Sequence, residues 1–131
     1  MKILSSYELQ AENFATTHSV KMQINSVKYG KHFVDDKEPR YIFNITLKRN
    51  RKQYSFNFGQ SIAAGSQEPT IYDILACLEK YESIDFADFC SNYGYNEDSR
   101  KAYKIYLAVK KEYNAANRLF SDCMEELQEI Q

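Results

Sequence analysis

The chain has 131 residues, of which 44% are hydrophobic and 15% are aromatic, and its formal net charge is −1 at pH 7. This length and composition support one buried core and exclude an intrinsically disordered protein. The near-zero net charge excludes a generic polycation that coats nucleic acid or membranes. No apolar run approaches the roughly 20 residues that span a bilayer, and the N-terminus lacks the apolar stretch of a signal peptide. We therefore expect a cytoplasmic location and no membrane partner.

In the first part of the chain, apolar residues at helical spacing are followed by apolar residues that alternate with polar ones. The pattern predicts a helix over 7–16, capped by Ser5 or Ser6, and then a half-buried strand over 19–28. The apolar residues that alternate with polar ones in this strand are Val20, Met22 and Ile24. Gly, Asp and Pro residues over 29–39 are typical of a loop.

Two further strands, over 40–49 and 52–59, form the clearest local pattern. If Asn50-Arg51 is a two-residue hairpin loop, the apolar residues of both strands fall on one side of the hairpin. The facing pairs are then Phe43–Phe58, Ile45–Phe56, Leu47–Tyr54 and Arg49–Lys52. Since a slip of one residue moves the whole apolar set to the other face, the pattern predicts this register.

Helical spacing of apolar residues dominates the rest of the chain. Thr70 and Asp73 have the spacing of a capping box, which predicts a helix that continues to about Tyr81. Ser83 is expected to cap a short helix. That helix is expected to end at Gly94, since glycine readily adopts the left-handed conformation found after helices.

The longest helix is predicted from about 96–99 to about Phe120, and a last helix follows it. Its expected inner face comprises Ala102, Ile105, Tyr106, Val109, Tyr113, Ala116 and Phe120. These positions recur every three or four residues, as on the buried side of an amphipathic helix. Asp122 and Glu125 have the spacing of a capping box for the last helix.

These elements predict a single α+β domain over 1–131, strand-rich over 1–62 and helical over 69–131. A connector rich in small residues, over 62–68, separates the two parts. The small antiparallel sheet has three strands, at about 19–28, 40–49 and 52–59. We expect its apolar face to pack against the N-terminal helix and a C-terminal set of about four helices.

No sequence motif indicates an active site or a cofactor site. The chain lacks both glycine-rich phosphate-binding motifs and the HExxH motif of metalloproteases, and it has only four glycines. Cys77, Cys90 and Cys123 are widely spaced and have no metal-ligand spacing, so we expect reduced, mostly buried thiols and no metal. We therefore expect no enzymatic activity, no catalytic residues and no cofactor.

Charge is divided unevenly along the chain. Residues 67–99 contain one Lys and eight Asp or Glu, whereas residues 1–66 contain ten Lys or Arg and five Asp or Glu. One interpretation is an ordinary solvated helix surface, in which carboxylates near helix starts complement the helix dipole. The other is an acidic partner-binding surface that imitates a nucleic-acid backbone. Its candidate residues are Asp73, Glu79, Glu82, Asp85, Asp88, Glu97 and Asp98.

Two groups of basic residues form an alternative candidate site, for nucleic acid. One group crowds the tip of the hairpin and comprises Lys48, Arg49, Arg51 and Lys52. The other falls on one side of the longest helix and comprises Lys101, Lys104, Lys111 and Arg118. A solvated helix face and a charged tip that resists aggregation are the plain interpretations, and contact with phosphates is the functional one.

Several segments resemble a family of small proteins encoded in bacteriophages and prophages. They are PTIYDILACLEKY (69–81), DFADFC (85–90), YGY (93–95), DSRKA (98–102) and FGQSI (58–62). The resemblance covers roughly 39–130 and implies a bacterial host cytoplasm and a mobile genetic element. The family supplies no established catalytic or binding residues. Small phage proteins of this kind often inhibit host machinery, and anti-CRISPR proteins are the outstanding group among them.

Three functions follow as hypotheses. The first is a phage-type, anti-CRISPR-like inhibitor without enzymatic activity, which binds a host protein or nucleoprotein effector through the acidic helical surface. The second is a phage accessory protein that binds nucleic acid through the hairpin tip and the basic side of the longest helix. The third is a structural protein that assembles into a homo-oligomer.

Overall fold

A computed structural model describes residues 5–32, 39–60 and 67–130. Most of the predicted loop over 29–39 and most of the connector over 62–68 lie outside the described residues. The elements are α1 (Ser6–Thr17), β1 (Val20–Gly30), β2 (Arg40–Arg49), β3 (Lys52–Gln60), α2 (Ile71–Ser83), α3 (Phe86–Tyr93), α4 (Arg100–Asn117), a 3-10 helix (Arg118–Phe120) and α5 (Met124–Gln128). One helix, three strands and then a set of helices confirm the predicted α+β fold.

The three strands form one antiparallel sheet in the order β1-β2-β3. The β2–β3 hairpin has the predicted register, with pairs Phe43–Phe58, Ile45–Phe56, Leu47–Tyr54 and Arg49–Lys52. Asn50 in the loop has a φ of 57°, the left-handed conformation that a two-residue hairpin loop favours and that Asn tolerates. The predicted loop and register are therefore both confirmed.

The first strand is longer than predicted and contains a β-bulge. Its pairing with β2 is regular to Ile24, shifts between Ile24 and Ser26, and then continues to Gly30. Asn25 is the extra residue, so the positions that face the helices change from even to odd numbers beyond it. This change explains why the apolar alternation in the sequence stops after Ile24.

Local capping residues determine where several helices begin and end. Ser5 accepts a hydrogen bond from the Glu8 amide (3.2 Å) at the start of α1. Thr70 and Asp73 form a complete capping box for α2, in which each side chain accepts from the other residue's amide (3.2 and 2.8 Å). Gly94 ends α3 with a φ of 72°. These three predicted caps are confirmed.

The predicted cap of the third helix is wrong. Ser83 is the last residue of α2, and Asp85 caps α3 instead by accepting a hydrogen bond from the Asp88 amide at 2.8 Å. The extended backbone of Ile84 separates the two helices. Asp and Ser are comparable caps, so the choice depends on where α2 ends rather than on residue type.

The C-terminal part also departs from the prediction. α4 ends at Asn117, and the helix continues to Phe120 only as a short 3-10 helix. Asp122 does not cap α5, at whose start no side chain makes a capping hydrogen bond. The Asp122 carboxylate binds Arg49 of the hairpin instead, because a charged donor forms a stronger hydrogen bond than a neutral amide.

One hydrophobic core lies between the sheet and the helices. Every predicted inner-face residue of α4 is buried or half-buried. Tyr113 of α4 stacks on Tyr81 of α2, with ring centroids 4.5 Å apart, and donates a hydrogen bond to the Asn57 carbonyl of β3 at 3.1 Å. Asn117, also buried, donates to the Leu78 carbonyl of α2 at 2.9 Å. These contacts hold α4 against both α2 and the outer strand β3.

The sheet face away from the core is polar apart from the buried Ile42. Asn25 donates to Asn44 (2.9 Å) and to Thr46 (2.7 Å), and Asn44 donates to Asn57 (3.0 Å). Thr46 and Ser55 share a further hydrogen bond of 2.7 Å. This face therefore uses many of its polar groups within the sheet, where they connect all three strands.

Candidate nucleic-acid interface

The sequence predicts Arg49 at the exposed hairpin tip, but it is buried where the sheet meets the C-terminal helices (9% exposed). Its guanidinium donates to the Leu119 carbonyl (2.8 Å) and to Asp122 (2.9 Å), and its Nε donates to the His18 carbonyl (2.9 Å). The prediction that Arg49 is available to a partner is therefore wrong. The physical reason is the register, which places Arg49 on the same sheet face as Leu47, toward the helices.

The ion pair between Arg49 and Asp122 connects two distant parts of the chain. The partners are 73 positions apart, and the Asp122 side chain remains 66% exposed. Hydrogen bonding to the guanidinium lowers the pKa of Asp122 to about 2, so the pair is ionised at neutral pH. Together with the bond to Leu119, it holds the 3-10 helix against the hairpin tip. Arg49 is therefore a positioning residue for the surface around Arg118.

A cleft of about 470 Å³ opens between the hairpin tip and the 3-10 helix. Its lining residues are Arg49, Asn50, Arg51, Lys52, Arg118, Leu119, Ser121 and Asp122. Arg51, Lys52 and Arg118 are exposed, and none of them forms an ion pair within the part of the chain that the structure describes. We call these three residues the basic cleft. Lys48 is also exposed but does not line the cleft.

The exposed side of α4 carries further cations. Lys101, Lys104 and Lys111 are exposed, as the spacing predicts. Arg100 shares this side and was missed, although it precedes Lys104 by four residues, which is about one helical turn. We call these four residues the basic helix face. The 18 residues of α4 extend about 27 Å, and the same side of the helix leads to Arg118 at its end.

Several of the predicted acidic residues have structural roles. Asp73 is half-buried in the capping box of α2, and Asp85 caps α3. Glu82 accepts a hydrogen bond of 3.3 Å from the buried Asn117. The carboxylates of these residues bind groups of the protein itself.

The remaining acidic residues form two separate groups rather than one surface. Glu79 and Asp88, together with Lys80, line a groove of about 330 Å³ between α2 and α3. Glu97 and Asp98 line a different concavity, of about 430 Å³, beside the start of α4. The structure therefore brings the basic groups together at Arg118 but divides the acidic set.

The cysteines are free thiols, as expected, with Cys90 and Cys123 buried and Cys77 half-buried. Burial raises the pKa of Cys77 to about 12, which keeps it in the unreactive thiol form at neutral pH. Within residues 5–32, 39–60 and 67–130, no three His, Cys, Asp or Glu side chains are grouped to hold a metal ion. No helix of these same segments is long and apolar enough to cross a membrane.

Comparison with known proteins identifies no relative. No protein-family model matches the chain, and no curated protein or solved structure matches it either. The resemblance to bacteriophage and prophage proteins therefore stays a prediction, as do the functions that it implies.

Proposed function

We propose that this protein is a non-enzymatic binding protein that contacts the phosphate backbone of nucleic acid. The contact surface comprises the basic cleft and the basic helix face, which we together call the basic track. The observation that carries the proposal is their junction at Arg118, beside the unpaired cations Arg51 and Lys52. Arginine and lysine bind phosphates through charge-assisted hydrogen bonds and through the release of condensed counterions.

The dimensions of the track suit an extended polyanion. With a rise of 1.5 Å per residue, Lys104, Lys111 and Arg118 are each about 10 Å apart along the helix. Because these cations project from a helix, binding requires little ordering of the backbone, which lowers the entropic cost of association.

The proposal is compatible with the predicted inhibitor of a host nucleoprotein, since such a partner presents phosphates as well as protein. The grouping of Glu79 and Asp88 in one groove supports a second contact, with the basic protein part of that partner. Pull-down from a bacterial host with wild type and with a Glu79→Lys/Asp88→Lys variant tests this contact. Loss of the nucleoprotein from the variant supports the acidic contact, and equal capture of it by both proteins contradicts that contact.

Nucleic-acid binding is tested by fluorescence anisotropy of a labelled oligonucleotide over a salt series. For four to six phosphate contacts, the logarithm of the association constant should fall with the logarithm of salt with a slope of about −3 to −5. Arg118→Ala should weaken binding to every sequence and reduce this slope by about 1. Lys28→Ala is the matched control, because Lys28 is exposed but pairs with Ile42, about 20 Å along the sheet from the tip.

Two results contradict the proposal: no binding at low salt, and an Arg118→Ala variant that behaves like Lys28→Ala. The variants must also be folded for this comparison to hold. Since Arg118 and Lys28 are both exposed, we expect each substitution to change the free energy of unfolding by less than about 0.5 kcal/mol. Denaturant unfolding measures this quantity directly.

A further inference from the structure

The concavity that Glu97 and Asp98 line adjoins the far end of the basic track, at the start of α4. It measures about 430 Å³ and is lined by Phe86, Glu97, Asp98, Ser99, Arg100, Tyr103 and Lys104. Two aromatic rings therefore lie beside two members of the basic helix face. This combination differs from that of the basic cleft, whose lining contains no aromatic residue.

The exposed ring of this concavity is firmly placed. Tyr103 is 47% exposed, and its ring meets the Phe86 ring edge-on, with centroids 5.1 Å apart and an interplanar angle of 88°. Phe86 packs in turn on the buried Tyr106, with centroids 5.5 Å apart. Tyr103 thus offers a solvent-exposed aromatic surface supported from the core, as a stacking platform for a planar ligand requires.

The charges around the ring distinguish where a base and a phosphate can lie. Arg100 and Lys104 are exposed, one turn apart on α4, and continue toward the basic cleft. Glu97 and Asp98 are exposed in the turn that precedes α4, and their carboxylates repel phosphates. Carboxylates also accept hydrogen bonds from the amino groups of bases. The arrangement therefore favours a base in the concavity and phosphates along α4.

We propose that the ligand of the basic track is single-stranded nucleic acid and that one of its bases stacks on Tyr103. This inference rests on the proposed function, because the phosphates must follow the track to bring a base to the ring. In a duplex the bases are paired and already stacked, whereas single strands offer their faces to aromatic side chains. From Tyr103 to Arg118 the strand extends about 22 Å along the helix, as the rise of 1.5 Å per residue gives.

The test compares three probes of equal length by fluorescence anisotropy: a single-stranded oligo-dC, the same length of abasic strand, and a duplex. Tyr103→Ala should weaken binding of the oligo-dC about tenfold, the size expected for one stacked base. The same substitution should change binding of the abasic strand and of the duplex by less than about twofold. Tyr103→Phe keeps the aromatic surface and should restore binding of the oligo-dC.

Tyr29→Ala is the matched control, because Tyr29 is another exposed tyrosine (57%) that packs on a neighbouring ring. The inference is overturned if Tyr103→Ala weakens all three probes equally or affects the oligo-dC no more than Tyr29→Ala does. It is also overturned if the wild type binds the duplex as tightly as the oligo-dC. The proposed function survives these results as long as Arg118→Ala still lowers the salt dependence, so the two failures are distinguishable.

Discussion

The basic track and the acidic residues of α2 and α3 both stand out in the sequence, but their charges are used differently. In the acidic region, Asp73 and Asp85 cap helices and Glu82 binds a buried amide. In the track, Arg51 and Arg118 are exposed and unpaired within the described segments. The sequence therefore shows how many charges a region carries, whereas hydrogen bonding shows how many are available to a partner.

The physical reason for the difference lies in the ends of helices. The first amides of a helix lack partners within it, so nearby carboxylates bind them, as Asp85 does. The cations of the basic helix face are exposed and project from α4, whose interior backbone is already hydrogen-bonded. Arg49 is the informative exception, because its donors bind the carbonyls of His18 and Leu119 at helix ends.

The largest expected effect comes from removing the residue that positions the basic cleft. Arg49→Ala leaves two carbonyls and the Asp122 carboxylate without their donor, so we expect the free energy of unfolding to fall by about 3 kcal/mol. Denaturant unfolding measures this change. Arg51→Ala, an exposed arginine two positions away, is the control and should change it by less than about 0.5 kcal/mol. Equal effects of the two substitutions would show that Arg49 does not hold the 3-10 helix in place.

Charge reversal on the two regions should separate their contributions to nucleic-acid affinity. Arg51→Glu with Arg118→Glu should weaken binding at least tenfold, which corresponds to about 1.4 kcal/mol. Glu79→Lys with Asp88→Lys should change it less than about threefold, since these residues lie in a separate groove. Anisotropy at one salt concentration compares the two variants. Equal and opposite changes would mean that net charge alone determines binding and that the track is not a site.

A smaller effect is expected from removing a carboxylate that acts as a helix cap. Asp85→Ala should lower the free energy of unfolding by about 1 kcal/mol, because the Asp88 amide loses its acceptor. Asp85→Asn retains an acceptor and should restore most of the loss. Glu97→Ala, in an exposed turn, is the control. If Asp85→Ala is as stable as this control, the acidic region has more free charge than its hydrogen bonds indicate.

The smallest effect concerns acid. Because the Arg49 bond lowers the pKa of Asp122 from 3.8 to about 2, this carboxylate stabilises the folded chain fully above about pH 4. The stabilisation should disappear as the pH falls from about 4 to about 2, when the folded state must take up the proton. The unfolding temperature of the wild type should therefore fall more steeply over this range than that of Asp122→Asn. Parallel curves would argue against the ion pair in solution.

Much of the fold could be predicted because the responsible signals are local. The hairpin register follows from alternation around a two-residue loop, and the capping box of α2 involves residues three positions apart. The inner side of α4 follows from helical spacing. The bulge at Asn25 and the choice of Asp85 over Ser83 as a cap were missed, because both depend on where a neighbouring element stops.

Only the local parts of the candidate site could be predicted from the sequence. Lys104, Lys111 and Arg118 follow one helix face, and Arg51 and Lys52 follow the hairpin loop, so each group was visible in the sequence. Their junction depends on the contact between Arg49 and Asp122, which are 73 positions apart. No spacing rule connects such residues. Helical spacing leaves Tyr103 outside the inner face, but its contact with Phe86 of another helix, which makes it part of a concavity, is a tertiary feature without a local signal.

By itself, the sequence determined the elements of this protein, the register of its hairpin and the sign of charge in each region. These properties depend on side-chain periodicity and on caps within a few residues, which short-range sterics and hydrogen bonding decide. Only the tertiary structure decided that Arg49 is buried, that Arg118 meets the hairpin loop and that the acidic set is divided. The reason is that packing helices on a sheet brings distant side chains within hydrogen-bonding range, where some charges are neutralised and others remain free for a partner.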